Sequence, residues 1–203
     1  QEGFAVFTCS RNKEKLDALS AEFNTTTLHT FVADLSVKAQ CQDFAGWVLG
    51  QTKSIDVLIN NAGFFMPGQI QNEEDGVLES QIEANLYSAY HLTRAFLPTF
   101  QAQKLGHIFT ICSTASITAY TAGGSYCISK FALLGFTKVL REELKTQGIK
   151  VVVDIDDLWN VDQRHPMYRQ IKDNKVPEKK VELLRLADYV TTTTPIFAQT
   201  IKS

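Results

Sequence analysis

The sequence predicts a doubly wound α/β fold of the Rossmann type, in which helices cover both faces of a parallel sheet. Strand and helix patterns alternate from the first residues, and this alternation is typical of such a sheet. The 203 residues are enough for one domain with a sizeable core, and no internal repeat or low-complexity linker divides them. We therefore expect a single domain over residues 1–203.

The elements follow from hydrophobic periodicity. Short apolar runs bounded by polar residues predict strands over 4–9, 28–33, 55–60, 107–112 and 149–153. Apolar residues at helical spacing, such as Leu16 and Leu19 on one face, predict helices over 12–23, 37–49, 77–100 and 125–146. In a sheet of this kind ligands bind at the carboxyl ends of the strands, so the residues just after each strand are the candidate site.

Composition narrows the possible partners. The chain has 20 basic and 22 acidic side chains, so its charge balance offers no surface typical of nucleic-acid or anionic-membrane binding. The early apolar run, residues 4–7, is too short for a signal-peptide core or a membrane span, so we expect a soluble cytoplasmic protein.

The four cysteines lack metal-ligand spacing, and we expect reduced thiols and no metal site. We interpret Asp154, Asp156 and Asp157 as solvated carboxylates rather than calcium ligands.

Three side chains are suited to reducing a carbonyl group. Tyr126 and Lys130 are four residues apart, so a helix places the ammonium beside the phenol. A tyrosine pKa is normally near ~10, and each unit of lowering requires roughly 1.4 kcal/mol of stabilisation of the phenolate, which a nearby cation provides. Ser113 follows the strand 107–112, where its hydroxyl can hold a carbonyl oxygen while Tyr126 donates a proton. Alone, the Tyr-x3-Lys spacing is better interpreted as a surface helix pair.

An upstream motif supplies the context. The strand 55–60 is closed by Asn-Asn-Ala-Gly at 60–63. Together with Asp34, Asn85, Ser113, Tyr126 and Lys130, in this order and spacing, it resembles the short-chain dehydrogenase/reductase family, over about residues 4–153. The resemblance implies a nicotinamide dinucleotide cofactor, with Lys130 also binding its ribose hydroxyls.

Asn85 interrupts an apolar stripe of the helix predicted over 77–100. The stripe has 4-3-4-3-4 spacing and consists of Leu78, Ile82, Asn85, Ala89, Leu92 and Phe96. A buried amide without partners costs a few kcal/mol, so Asn85 must be hydrogen-bonded. The alternatives are a core asparagine bonded to backbone or, as the resemblance implies, a residue that holds a water linking Lys130 to solvent. We favour the second.

The second group of candidates concerns the cofactor. Ser10 and Arg11 follow the first strand where NAD-preferring members often carry an acidic residue, and a guanidinium suits a 2'-phosphate, so we expect NADP(H). The alternative for Arg11 is a solvated side chain. By resemblance Asp34 contacts the adenine ring, although it can also cap the helix near residue 37. We expect Asn60 to tie neighbouring strands, and Ala62 and Gly63 to let backbone approach the adenosine ribose.

Two family landmarks are missing from the sequence. The family begins with a strand and a Thr-Gly-x3-Gly-x-Gly turn that binds the pyrophosphate, and it carries Pro-Gly near the nicotinamide after the strand at 149–153. Neither is found here. We therefore expect roughly 20 to 30 further residues upstream, with the central strand. Residues 154–203 form a substrate-loop and C-terminal region that cannot be assigned, with a polar loop at 172–178 and a short helix at 181–190.

The leading interpretation is an NADPH-dependent oxidoreductase acting on a small-molecule carbonyl or alcohol, with catalytic Asn85, Ser113, Tyr126 and Lys130. The alternative is a non-catalytic relative, a scaffold or regulatory subunit without the phosphate loop. The substrate cannot be deduced, since specificity rests on the loop after Gly63, on 119–125 and on the C-terminal region. Apolar residues on several faces of the helices starting near 77 and 125 also predict a homodimer or homotetramer.

Overall fold

A computed structural model describes residues 4–23, 27–154 and 172–173. The strands are β1 (Val6–Ser10), β2 (Leu28–Val32), β3 (Val57–Asn60), β4 (Gly106–Ile111) and β5 (Ile149–Asp154). The helices are α1 (Lys13–Phe23), α2 (Lys38–Gln51), α3 (Val77–Ile82), α4 (Ser88–Gln103) and α5 (Gly124–Leu144). The expectations for residues 155–171 and 174–203, including Asp156 and Asp157, lie outside the described residues.

The described strands are parallel and are flanked by helices. β1 pairs with β2, while β3, β4 and β5 form a second sheet in that order. Asn60 at the end of β3 lies opposite Thr110 of β4, so the carboxyl ends of these two strands are adjacent. The predicted α/β class, with a parallel sheet, is confirmed.

β1 and β3 each have one edge without a partner strand in the described part of the chain. This is where the resemblance places the central strand that the sequence lacks. On β3 the apolar side chains Val57 and Ile59 are 40% and 59% exposed, which is unusual because parallel sheets are ordinarily covered on both faces. The presence of further upstream residues stays a prediction.

One hydrophobic core nevertheless lies under both sheets. Leu58 of β3 and Ile108 of β4 belong to a buried cluster against which Phe7 of β1 and Phe31 of β2 also pack. A second, smaller cluster joins α4 and α5 to the end of β4, and it consists of Ala89, Cys112, Leu133 and Leu134. The second cluster supports the start of the loop that follows β4, where the candidate site lies.

The helix predicted over 77–100 is interrupted. A π-helical turn, Glu83–Tyr87, separates α3 from α4 and carries Asn85. A π turn holds one residue more than an α turn. The residues that precede it in the chain are therefore rotated about the helix axis, and different side chains face inward. Asn85 is fully buried, as predicted. The apolar stripe also predicts that Leu78 is buried, but Leu78 is 40% exposed and Gln81 is buried instead.

No helix in the described ranges combines the length and apolarity needed to cross a bilayer.

Candidate active site

A cavity of about 290 Å³ opens at the carboxyl ends of β3 and β4. It is lined by Asn61, Gly63, Phe64, Phe65, Ile111, Cys112, Ser113, Tyr126 and Lys130. The structure therefore brings together four of the residues selected from the sequence: Gly63, Ser113, Tyr126 and Lys130.

Ser113 is held by the turn that follows β4. It caps a one-turn 3-10 helix, Thr114–Ser116, and its Oγ accepts a hydrogen bond from the Ala115 N–H at 3.1 Å. The Ser113 N–H in turn donates to Ser116 Oγ at 3.1 Å, so both the backbone N–H and the hydroxyl of Ser113 are hydrogen-bonded within the turn. A hydroxyl that accepts from backbone retains its O–H as a donor group. The turn thus fixes the position of Ser113 in the lining of the cavity.

Tyr126 and Lys130 lie one turn apart on α5, as predicted. The Lys130 Nζ is 5.9 Å from the centroid of the Tyr126 ring and donates a hydrogen bond to the Ile111 carbonyl at 3.0 Å. Lys130 is only 7% exposed, so its ammonium lies in a poorly solvated environment where charge interactions are strong. A developing phenolate at Tyr126 would therefore be stabilised by this cation.

Phe65 forms an aromatic wall next to Tyr126. The two ring centroids are 4.8 Å apart and the planes meet at 70°, an edge-on contact. Phe65 is 53% exposed, so it borders the opening of the cavity. The sequence predicts that the loop after Gly63 contributes to specificity, but it does not single out Phe65, because nothing in local spacing shows that this ring contacts Tyr126.

Asn85 supports the cavity from behind. Its Oδ1 accepts from the Phe64 N–H at 2.8 Å, and its Nδ2 donates to the Phe64 carbonyl at 3.1 Å and to Ser129 Oγ at 2.9 Å. The prediction that this buried amide has partners is confirmed, and the backbone bonds match the alternative of a core asparagine. The role in a proton relay stays a prediction. Gly63 lies against the same amide, since an added Cβ would be 2.7 Å from Asn85 Oδ1.

The thiol in the cavity is not a nucleophile at neutral pH. Burial raises the pKa of Cys112 to about 11, although a hydrogen bond with Ser116 and the charge of Lys130 act in the opposite direction. A thiol with such a pKa stays protonated. All four cysteines of the chain are described and none forms a disulfide, which agrees with the expected reduced thiols.

The predicted cofactor residues Ser10, Arg11 and Asp34 lie at the ends of β1 and β2. The Arg11 Nη1 is 3.8 Å from Asp34 Oδ2, and the Arg11 side chain is 72% exposed. Burial raises the pKa of Asp34, but hydrogen bonds from Ser36 and the nearby Arg11 outweigh it, so the net pKa is lowered. Arg11 is thus exposed enough to meet a phosphate and is only loosely engaged by Asp34.

Two expectations for polar residues after the strands are corrected. Asp34 does not cap α2: the cap residue is Val37, and the Asp34 carboxylate instead accepts from the Ser36 N–H and hydroxyl at 2.9 and 2.7 Å. The Asn60 Nδ2 donates to Thr93 Oγ1 of α4 at 3.0 Å rather than to a neighbouring strand. Asp34 is therefore bonded within its own turn, whereas Asn60 is bonded to a residue 33 positions away.

Comparison with known proteins identifies the family. The family model described as short chain dehydrogenase matches residues 1–154. The chain belongs to the short-chain dehydrogenase family. Among relatives of this family, estradiol 17-beta-dehydrogenase 11 of Homo sapiens is 33% identical over 135 residues, 66% of this chain and 45% of the relative. Nodulation protein G of Rhizobium sp. (strain N33) is 30% identical over 138 residues, 68% of this chain and 56% of the relative. The chain spans about half the length of these relatives.

Solved structures of short-chain dehydrogenases share the fold. A metagenomic short-chain oxidoreductase in complex with NADP has a TM-score of 0.68 and 32% identity, covering 73% of this chain and 68% of that one. Serine dehydrogenase from Escherichia coli has a TM-score of 0.70 and 27% identity, covering 75% and 70%. A short-chain dehydrogenase from Streptomyces avermitilis, with a TM-score of 0.73 and 23% identity, covers 91% and 76%.

The described residues fit two parts of a nicotinamide dinucleotide. A nicotinamide would meet the cavity, which contains the buried Lys130 ammonium and the Tyr126 phenol. Arg11 is exposed and could meet the adenosine end, whereas Gly63, which was expected beside the adenosine ribose, lines the cavity that contains Tyr126. The pyrophosphate is not assigned to any described residue, because the family's glycine-rich turn is missing from the sequence.

Proposed function

We propose that this chain is an oxidoreductase that interconverts a carbonyl and an alcohol with NADP(H). The observation that carries the proposal is the convergence of Ser113, Tyr126 and Lys130 on one cavity of about 290 Å³. A general acid, a hydrogen-bonding hydroxyl and a cation are what carbonyl reduction requires of a protein. The substrate is a small molecule whose reacting oxygen reaches Tyr126.

In the reductive direction, each protein group acts on the carbonyl oxygen or on the proton that it receives. The cofactor supplies the hydride that reaches the carbonyl carbon. Ser113 donates a hydrogen bond to the oxygen, and the Tyr126 O–H proton moves to that oxygen as its charge develops. Lys130 stabilises the resulting phenolate and binds the nicotinamide ribose. Reprotonation of Tyr126 from solvent completes the cycle, and we propose that a water near Asn85 takes part in it.

The preference for NADP(H) is supported by Arg11. The metagenomic relative and a closed form of serine dehydrogenase were both solved with NADP or NADP+. In this chain the exposed Arg11 guanidinium stands at the carboxyl end of β1 beside Ser10. Asp34 is 3.8 Å from the guanidinium, too far for a strong hydrogen-bonded pair, so a 2'-phosphate can compete for it.

Replacing Ser10 with Asp and Arg11 with Ala should move cofactor preference towards NADH, mostly by weakening NADPH. A charge-assisted contact contributes roughly 1.5 to 3 kcal/mol, or about ten-fold to a hundred-fold in affinity. Titration of both cofactors against the wild type and the double variant measures the change. Lys15→Ala, which removes another exposed cation of the same region, is the matched control. Equal wild-type affinities for the two cofactors, or an unchanged ratio in the variant, would contradict the assignment.

The alternative function is a non-catalytic scaffold that binds no nicotinamide cofactor. The same titration separates the two functions. Binding of neither cofactor by the wild type favours the scaffold, whereas micromolar binding of NADPH favours the oxidoreductase.

We also propose that the protein is a homodimer or homotetramer. Leu133, Leu134 and Leu140 of α5 are buried within the chain, so only part of the expected apolar surface remains outside. That remaining surface is formed by α4 and α5 and consists of Tyr90, Ile128, Phe131 and Val139, with 38%, 42%, 45% and 58% exposure. A cytoplasmic location also stays a prediction.

Light scattering tests this surface directly. The wild type at micromolar concentration should have at least twice the mass of one chain, and Phe131→Glu combined with Val139→Glu should shift it towards the monomer, because buried charges without partners oppose association. Phe23→Glu, at an exposed position of α1, is the control. A monomeric wild type would refute the proposal.

A further inference from the structure

Glu73 reaches across the fold to the start of the helix that carries Tyr126 and Lys130. Its Oε1 accepts a hydrogen bond from the Ser125 N–H at 2.9 Å, and its Oε2 accepts a second, short one from the Ser125 hydroxyl. The two residues are 52 positions apart in sequence. Ser125 is 1% exposed and directly precedes Tyr126. A partly buried pair of bonds therefore holds the residue next to the proposed proton donor.

The first turn of α5 depends on this carboxylate. The cap residue is Gly123, which has no side chain with which to bind the first N–H groups of the helix. Glu73 fills that role from outside the helix, and a negative charge at this end is also favoured by the helix dipole. The orientation of the first turn thus depends on a distant residue rather than on a neighbour in sequence.

Two glycines make room for the carboxylate. An added Cβ at Gly124 would lie 2.0 Å from Glu73 Oε1, and one at Gly68 would lie 2.7 Å from Glu73 Cγ. Gly68 also donates its N–H to the Ala122 carbonyl at 3.0 Å and forms a parallel bridge with Gly123. The close approach is therefore a specific feature of the backbone on both sides of Glu73.

Glu73 also ends the segment that supplies Phe64 and Phe65 to one wall of the cavity. This segment, residues 64–73, is fixed at its first residue by the hydrogen bonds between Phe64 and Asn85. It is fixed again at Met66, whose carbonyl accepts a hydrogen bond from Gln81 Nε2 at 3.3 Å. Phe65 lies between these anchors, edge-on to Tyr126. The segment and the start of α5 therefore form one connected unit around the phenol.

We infer that Glu73 is a positioning residue for the reaction: through Ser125 it sets the orientation of Tyr126 and keeps the 64–73 wall against α5. The inference rests on the proposed role of Tyr126 as proton donor. Proton transfer requires an accurate donor geometry, and a displacement of about 1 Å can lower a rate by about 100-fold. A loss of the carboxylate should therefore lower kcat without removing any group that contacts the substrate.

The first test compares Glu73→Ala with Glu73→Gln and with the control Glu74→Ala, an exposed neighbour. Glu73→Ala should lower kcat by about 10-fold to 100-fold, with the cofactor KM changed much less. Glu73→Gln should restore a large part of kcat, because its amide oxygen still accepts from the Ser125 N–H. Glu74→Ala should match the wild type. A wild-type kcat in Glu73→Ala would overturn the inference.

The second test reads the position of Tyr126 without using activity. In protein labelled with ¹³C-tyrosine, the signal lost in Tyr126→Phe identifies this residue among the 6 tyrosines. Glu73→Ala should shift that signal while those of Tyr87 and Tyr90 stay in place, and an unshifted Tyr126 signal would overturn the inference. A shifted signal together with an active Tyr126→Phe variant would instead refute the proposed role of Tyr126 as proton donor, while showing that Glu73 does set the position of Tyr126.

A third variant covers the case in which Glu73→Ala fails to fold. Ser125→Ala removes only the hydroxyl bond and retains the N–H bond to Oε1. It should lower kcat by a smaller factor, and its effect should be smaller still when Glu73 is already Gln, because the hydroxyl then contacts a neutral amide nitrogen instead of a carboxylate. Additive effects of Ser125→Ala and Glu73→Gln would overturn the inference.

Discussion

Tyr126→Phe is expected to lower turnover by about 100-fold or more and to leave cofactor affinity nearly intact. The variant keeps the ring, and with it the edge-on contact with Phe65, but removes the only proton donor that we propose for the carbonyl oxygen. Steady-state kinetics with a reducible carbonyl substrate, together with a cofactor titration, measure the two quantities separately.

The matched control is Tyr87→Phe, which removes a phenol from an exposed position in the π turn. It should turn over substrate at the wild-type rate. If Tyr126→Phe did the same, another group would have to protonate the substrate, and the proposed mechanism would be wrong.

Lys130→Met should damage both turnover and cofactor binding. Methionine retains most of the buried side-chain volume, so the cavity keeps its shape while the ammonium and its bond to the Ile111 carbonyl are lost. Without the cation the phenolate form of Tyr126 is less stable, and the nicotinamide ribose loses a charge-assisted partner. Each loss should amount to about 10-fold or more.

The pH profile distinguishes loss of the cation from general damage. Alcohol oxidation uses the phenolate as base, so in Lys130→Met the rate should reach its plateau at a higher pH than in the wild type. Lys138 is an exposed residue of α5, about two turns after Lys130. Lys138→Ala should change neither the pH profile nor the cofactor affinity. A wild-type pH profile in Lys130→Met would contradict the electrostatic role of this residue.

Much of the fold was predictable because it depends on local patterns. The order of strands and helices follows from apolar periodicity, and the positions of Ser113, Tyr126 and Lys130 follow from a strand end and from the i, i+4 spacing of a helix. Asn85 was also recognisable, since a polar residue in an apolar stripe has to find partners, and it does so with Phe64 and Ser129.

The remaining features depend on contacts between distant parts of the chain. The hydrogen bonds between Glu73 and Ser125 cannot be predicted from their spacing in the sequence. Phe65 can be assigned to the cavity wall only from the contact of its ring with Tyr126. The assignment of Leu78 to the core was wrong because the 4-3-4 pattern fits an uninterrupted α-helix, whereas the extra residue of the π turn turns Gln81 inward.

The π turn has a further consequence for how sequences of this family should be aligned. Each residue of an α-helix rotates the chain by about 100°, so deleting one residue within Glu83–Tyr87 would restore a regular helix and turn α3 by that angle relative to α4. Gln81 would then leave the Met66 carbonyl and the wall of the cavity would lose an anchor. We therefore expect a relative with a one-residue gap at this point to have a differently shaped cavity, even where every proposed catalytic residue is retained.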